Sequence, residues 1–156
     1  MGFTDTNVVL LYFLYNLSAA VLSIPFGRLS DKIGRKKLLV AGYLTFSVVY
    51  LCFAYVTSAP VMVFIFILYG FYTAMTAGVE RAFIAEIAPA DLKGTMLGLD
   101  ATIVGIALLP ASVIAGWLWN SFGSKAPFLF GAALSLTAAI ILLALLGRMS
   151  EEKKAC

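Results

Sequence analysis

The chain has 156 residues, of which 62% are hydrophobic and 12% are charged, whereas a soluble domain is about half apolar and about a quarter charged. The formal net charge is only +3, without a long acidic or basic tail, so we expect the positive charge to lie beside a membrane and predict no nucleic-acid partner. Two cysteines and no histidine exclude a disulfide framework, and we predict no metal site and no cofactor.

Five apolar runs follow one another along the chain, and each is close to the roughly 20 residues that a helix needs to cross the hydrocarbon core. They cover about residues 7–26, 38–56, 60–79, 96–119 and 126–147. The segments between them are short and rich in turn-forming or charged residues. The sequence therefore predicts an all-α membrane protein with five transmembrane helices in one domain, residues 1–156.

The first connecting segment, residues 27–37, is the most basic part of the chain, and we interpret it as a loop. If the spans alternate in direction, ten of the eleven Lys and Arg residues fall on the side of this loop, and only Lys125 falls on the other. Lysine and arginine accumulate in cytoplasmic loops. We therefore expect the C-terminus to be cytoplasmic and the N-terminus to be outside.

A few polar or helix-disrupting residues lie at membrane depth, where such groups are costly and usually face the interior of a helix bundle. Glu80 and Arg81, at the cytoplasmic end of the third span, are either an interfacial pair or part of a solute path. Asp100 either begins the fourth helix, where its charge interacts with the helix dipole, or lines the path and exchanges protons. Asn16, in the first span, is a further candidate to face a cavity. Pro110 predicts a break in the fourth helix.

Small residues recur every four positions along the third and fourth spans. Gly70, Ala74 and Gly78 form one such row, and Ala101 and Gly105 form another. In lipid, helices associate through close approach of their backbones at small residues. The spacing predicts helix–helix contacts along both rows.

The basic segment reads Gly-Arg-Leu-Ser-Asp-Lys-Ile-Gly-Arg-Lys-Lys and resembles the signature cytoplasmic loop of the major facilitator superfamily of secondary transporters. Residues 81–95 and 109–116, followed by Phe122-Gly123 and Pro127-Phe128, resemble later segments of many bacterial members. Together these resemblances imply a partial major-facilitator fold. The five spans would then correspond to helices eight to twelve of a twelve-helix protein.

The resemblance also implies roles for the signature segment in conformational gating. Gly27 would allow close contact with a facing helix. Asp31 would interact with a helix N-terminus across the interface between the two halves, and Arg35 would pair with a cytoplasmic carboxylate. The residues carried over are Gly27, Arg28, Asp31, Gly34, Arg35 and Lys36.

The function implied is part of a secondary active transporter that moves a small solute across the membrane by alternating access. The alternative is a truncated or regulatory membrane protein that does not transport and binds a partner helix bundle. We do not expect an enzyme. The expected location is the bacterial inner (plasma) membrane, and the expected partners are the lipid bilayer, a small-molecule solute and the missing N-terminal half or another helix bundle. The chain would be a fragment, a truncated gene product or one piece of a split assembly.

Overall fold

A computed structural model describes residues 5–155 of the chain, with side chains up to residue 144. The described residues form five α-helices and no strand. The helices are α1 (Asp5–Ile33), α2 (Arg35–Tyr55), α3 (Ala59–Ile87), α4 (Lys93–Phe122) and α5 (Ala126–Ala155). All five are long and apolar enough to cross a membrane. The predicted class, an all-α membrane protein with five transmembrane helices, is confirmed.

The basic segment of residues 27–37 is almost entirely helical, so its interpretation as a loop was wrong. Helix α1 continues to Ile33 and α2 begins at Arg35, which leaves only Gly34 between them. Gly34 has a φ of +94°, a conformation that favours glycine because a Cβ atom would clash there. The Gly34 N–H still donates to the Ser30 carbonyl at 3.0 Å. The chain therefore reverses at a single residue, and the charged side chains are held on helices.

Helix α3 is central to the packing. It packs against α1 and α2, and α2 packs in turn against α5. The buried residues Leu38 and Leu39 of α2 meet Met75 and Val79 of α3 in one cluster. Helix α4 has fewer contacts with α3 and α5, and none of its residues is buried. One side of the molecule is thus a packed bundle, and α4 stands at its edge.

The contact between α1 and α3 is closest at Gly70. A Cβ atom added there would lie 2.6 Å from the Ser18 Cβ and 3.0 Å from the Tyr15 carbonyl oxygen. The same addition at Gly78 or Gly105 would meet open space. The predicted helix contact is therefore present at Gly70, whereas Gly78 and Gly105 make no close helix contact within the chain.

Helix α4 runs through Pro110 without interruption, so the predicted break at this residue was wrong. Proline removes one backbone hydrogen bond, but the remaining bonds of the helix persist. In a low-dielectric surrounding, each further unpaired backbone group would add a large penalty, which favours a continuous helix.

Candidate functional site

A cleft of about 590 Å³ lies between α3 and α4. Its charged side chains are Glu80 and Arg81 of α3 and Asp100 of α4, three of the residues that the sequence singled out. Small and aliphatic residues form the rest of the wall: Ala77, Leu97, Ala101, Val104, Gly105 and Leu108. The fold therefore brings together charged residues of two consecutive helices that lie up to 20 positions apart in the sequence.

Glu80 is held in this cleft from the neighbouring helix α2. The Tyr43 hydroxyl donates a hydrogen bond to Glu80 Oε1 at 2.8 Å. Both side chains are partly buried. Glu80 is therefore a fixed member of the bundle rather than an interfacial side chain extended toward the lipid surface.

Asp100 faces the cleft without a partner of its own. Within the described part of the chain, its carboxylate accepts no hydrogen bond and forms no ion pair. Helix α4 begins at Lys93, seven residues earlier, which places Asp100 about two turns inside the helix. The helix dipole acts mainly within the first turn. The interpretation of Asp100 as a helix-start carboxylate was therefore wrong.

The chemistry available in the cleft follows from these charges. Two carboxylates and one guanidinium leave a net negative charge at membrane depth, which attracts a cation or a polar group that carries partial positive charge. Within the described residues, no third His, Cys, Asp or Glu joins Glu80 and Asp100 to form a metal-binding group.

A second charged cluster lies where α1, α2 and α3 meet. Arg35 Nη1 lies 3.1 Å from Glu86 Oε2, and Arg35 Nη2 lies 3.4 Å from Asp31 Oδ1. The guanidinium also donates to the Ala82 carbonyl. Asp31 and Glu86 are 66% and 61% exposed, so each ion pair adds little stability by itself. Together the two ion pairs connect α2 to α1 and to α3 at one end of the bundle.

The close helix contact that the resemblance implied for Gly27 is not made within this chain and stays a prediction for a facing helix outside it. A Cβ atom added at Gly27 would meet nothing within 4 Å, so this glycine does not bring two helices into close contact within the chain. It lines instead a cavity of about 310 Å³ between α1 and α3, beside Ser30, Asp31 and Arg35. The proposed contact of Asp31 with another helix bundle stays a prediction.

The remaining candidates lie apart from the cleft. Arg28 is exposed near the end of α1, and Lys36 places its Nζ atom 5.4 Å from the centre of the Phe83 ring. Asn16 is exposed, and its Nδ2 donates to the Tyr12 carbonyl one turn earlier at 2.8 Å. None of these three residues lines the cleft.

An aromatic cluster between α2, α3 and α5 was missed by the sequence analysis. The rings of Phe46 and Tyr50 stack at 3.9 Å between centroids, and Phe53 meets Phe66 at 5.4 Å. Tyr69 connects the cluster to Tyr15 of α1, with 4.8 Å between the ring centroids. Phe46, Tyr50 and Phe53 are spaced four and three residues apart along α2, which puts their rings on one face of that helix. This spacing is visible in the sequence.

Comparison with protein families matches residues 1–156 to the Major Facilitator Superfamily. The chain belongs to this superfamily. Its members are transporters, so the family points away from an enzyme, and the five apolar helices make the chain an integral membrane protein.

Three relatives illustrate the similarity. An uncharacterized MFS-type transporter of Methanocaldococcus jannaschii is 44% identical over 86% of this chain and 34% of its own length. Multidrug resistance protein 2 of Bacillus subtilis is 29% identical over 77% of this chain and 30% of its own. The quinolone resistance protein NorA of Staphylococcus aureus is 27% identical over 94% of this chain and 37% of its own. No solved structure matches the chain.

The chain thus spans about a third of the length of these curated relatives.

Proposed function

We propose that this chain forms part of a secondary active transporter that moves a small solute by alternating access, with the α3–α4 cleft as one wall of the solute path. The single observation that carries the proposal is the presence of two carboxylates, Glu80 and Asp100, facing one cleft within the apolar helices. Carboxylates at membrane depth are costly, and they mark solute or proton paths in membrane proteins. The family membership supports the same conclusion.

The charge of the cleft favours a solute with a positively charged group. Electrostatic complementarity sets which partners are accepted, and a like-charged solute would be rejected. The small and aliphatic wall residues fit an apolar body attached to that group. The similarity to multidrug and quinolone resistance proteins supports an amphipathic, drug-like solute.

The open side of α4 supports a larger assembly in the membrane. Exposed apolar side chains such as Ile106, Leu109 and Val113 can face lipid or a further helix bundle. The length of the relatives favours helices equivalent to the first half of a transporter as the partner. We further propose the plasma membrane as the location. The distribution of Lys and Arg supports a cytoplasmic C-terminus.

The test is drug export from bacterial cells that lack their own drug exporters. The chain is expressed with a segment that supplies the remaining helices, and cellular norfloxacin and ethidium are followed by fluorescence. We expect lower accumulation than in cells expressing the double variant Glu80→Ala/Asp100→Ala at equal protein level. Asp91→Ala, on the connection between α3 and α4, is the matched control and should export normally.

Equal accumulation of both compounds in all strains, with the proteins folded and inserted, would refute the transport proposal. If the chain then still bound the added segment, the alternative of a non-transporting partner-binding protein would take its place.

A further inference from the structure

The hydrogen bond between Tyr43 and Glu80 is unusual among the polar contacts of the spans. Most hydroxyl and amide side chains in these helices donate to a carbonyl of their own helix, as Ser18 does to Leu14. Tyr43 instead reaches from α2 to the carboxylate of Glu80 on α3, at 2.8 Å. A hydrogen bond to an ionised group is about twice as strong as one between neutral groups.

Tyr43 is itself held firmly. Its ring packs against the buried cluster of α2 and α3 that includes Leu39 and Met75. Its backbone carbonyl accepts a hydrogen bond from the Ser135 hydroxyl of α5 at 2.7 Å. A contact chain therefore runs from α5 through Tyr43 to Glu80, at the wall of the cleft.

We propose that Tyr43 is a positioning residue that fixes Glu80 Oε1 and leaves the other carboxylate oxygen, Oε2, for the solute. This inference rests on the proposed transport function. Glu80 has several rotatable bonds, and a solute that binds a mobile carboxylate must order it first. The hydrogen bond from the Tyr43 hydroxyl orders Glu80 before the solute binds, so that binding does not have to overcome this loss of side-chain freedom.

The first test compares export kinetics of Tyr43→Phe and wild type with ethidium as the probe. Loss of the hydroxyl should raise KM by up to about tenfold, the cost of ordering one mobile side chain on binding, while the maximal rate stays within about twofold. A merely structural role would instead reduce the amount of working protein, which lowers the maximal rate at unchanged KM. Tyr50→Phe, which removes a hydroxyl from the same helix within the aromatic cluster, should leave both values unchanged.

The second test repeats the substitution in a Glu80→Asp background. Aspartate keeps the charge but is one methylene shorter, which moves the carboxylate away from the Tyr43 hydroxyl. If Tyr43 acts through Glu80, Tyr43→Phe should cause no further rise in KM there, because the bond is already lost. Equal rises in both backgrounds would overturn the proposal.

A third measurement does not depend on transport. Resonance Raman difference spectra between wild type and Tyr43→Phe, recorded on the chain in lipid nanodiscs, isolate the tyrosine doublet of Tyr43. That doublet should show a strong hydrogen-bond donor, and the donor signature should disappear in a Glu80→Leu background. A doublet that is unchanged by Glu80→Leu would refute the Tyr43–Glu80 contact whether or not the protein exports ethidium. A donor signature together with absent export would refute the transport function, and with it the solute role of Glu80, while establishing the bond.

Discussion

Glu80 and Asp100 face the same cleft but are held in different ways. Glu80 accepts the Tyr43 hydrogen bond, whereas Asp100 has no such partner within the described residues. A carboxylate at membrane depth that is not paired within its own bundle weakens the fold unless water or a bound cation stabilises it. We therefore propose Asp100 as the residue at which a positively charged solute would gain most.

Asp100→Asn tests this role at the residue scale. Asparagine has the same shape and still accepts a hydrogen bond, but it carries no charge. We expect the KM for ethidium export to rise by about tenfold, since one attractive charge is lost from the cleft. We also expect thermal stability in detergent to be equal to or higher than that of wild type, because no hydrogen bond or ion pair within the chain is broken and an unpaired charge is removed.

The control for this substitution is Asp91→Asn, which removes the same charge outside the cleft and should leave export unchanged. An unaltered KM in well-folded Asp100→Asn protein would show that the charge of Asp100 does not contact the solute.

At the scale of the elements, the contact between α1 and α3 depends on Gly70. Gly70→Ala should lower the free energy of unfolding by about 1–3 kcal/mol, because the added methyl overlaps Ser18 and the backbone of α1. Gly78→Ala is the matched control, two turns along the same helix. Its methyl enters open space, and alanine is the better helix former by about 1 kcal/mol, so stability should not fall.

Unfolding of both variants is measured by titration with dodecyl sulfate in mixed micelles, followed by helical circular dichroism. A loss of stability that is as large for Gly78→Ala as for Gly70→Ala would contradict the packing described for α1 and α3.

The helices themselves could be predicted from the sequence because their signal is local. A run of about 20 apolar residues defines a span regardless of what it packs against. The helix ends could not be predicted, because charged residues such as Arg28 and Lys32 continue a helix beyond the hydrocarbon as readily as they form a loop. Only the positive φ of Gly34 decides where α1 stops.

Part of the cleft could also be predicted, because its charged residues are recognisable from the local sequence. Charge at membrane depth singles out Glu80, Arg81 and Asp100 from the sequence alone. The partner Tyr43 could not be inferred, since it lies 37 positions from Glu80 and on another helix. Which of Gly70 and Gly78 touches α1 also depends on how the two helices cross, and the four-residue spacing does not contain that information.

At the scale of the whole molecule, most of the positive charges on the described side chains lie at one end of the bundle. Arg35, Lys36 and Lys93 mark the starts of α2 and α4, whereas Lys125 precedes α5 and places its Nζ atom 5.0 Å from the centre of the Tyr55 ring, at the far end of α2. Lysine and arginine accumulate on the cytoplasmic side of membrane proteins, so the end that carries Arg35 should be cytoplasmic.

Cysteine labelling tests this orientation. Cys52 and Cys156 are first replaced by serine, and single cysteines are then introduced as Lys32→Cys and Ser124→Cys, both at exposed positions. A membrane-impermeant maleimide added to intact cells should label the cysteine at position 124 and spare the one at position 32, and both should react after the membrane is permeabilised. Because Lys32 lies next to the Arg35 cluster and Ser124 lies between α4 and α5, the two sites report opposite ends of the bundle. The reverse labelling pattern would place the cluster around Arg35 outside the cell and would refute the proposed orientation.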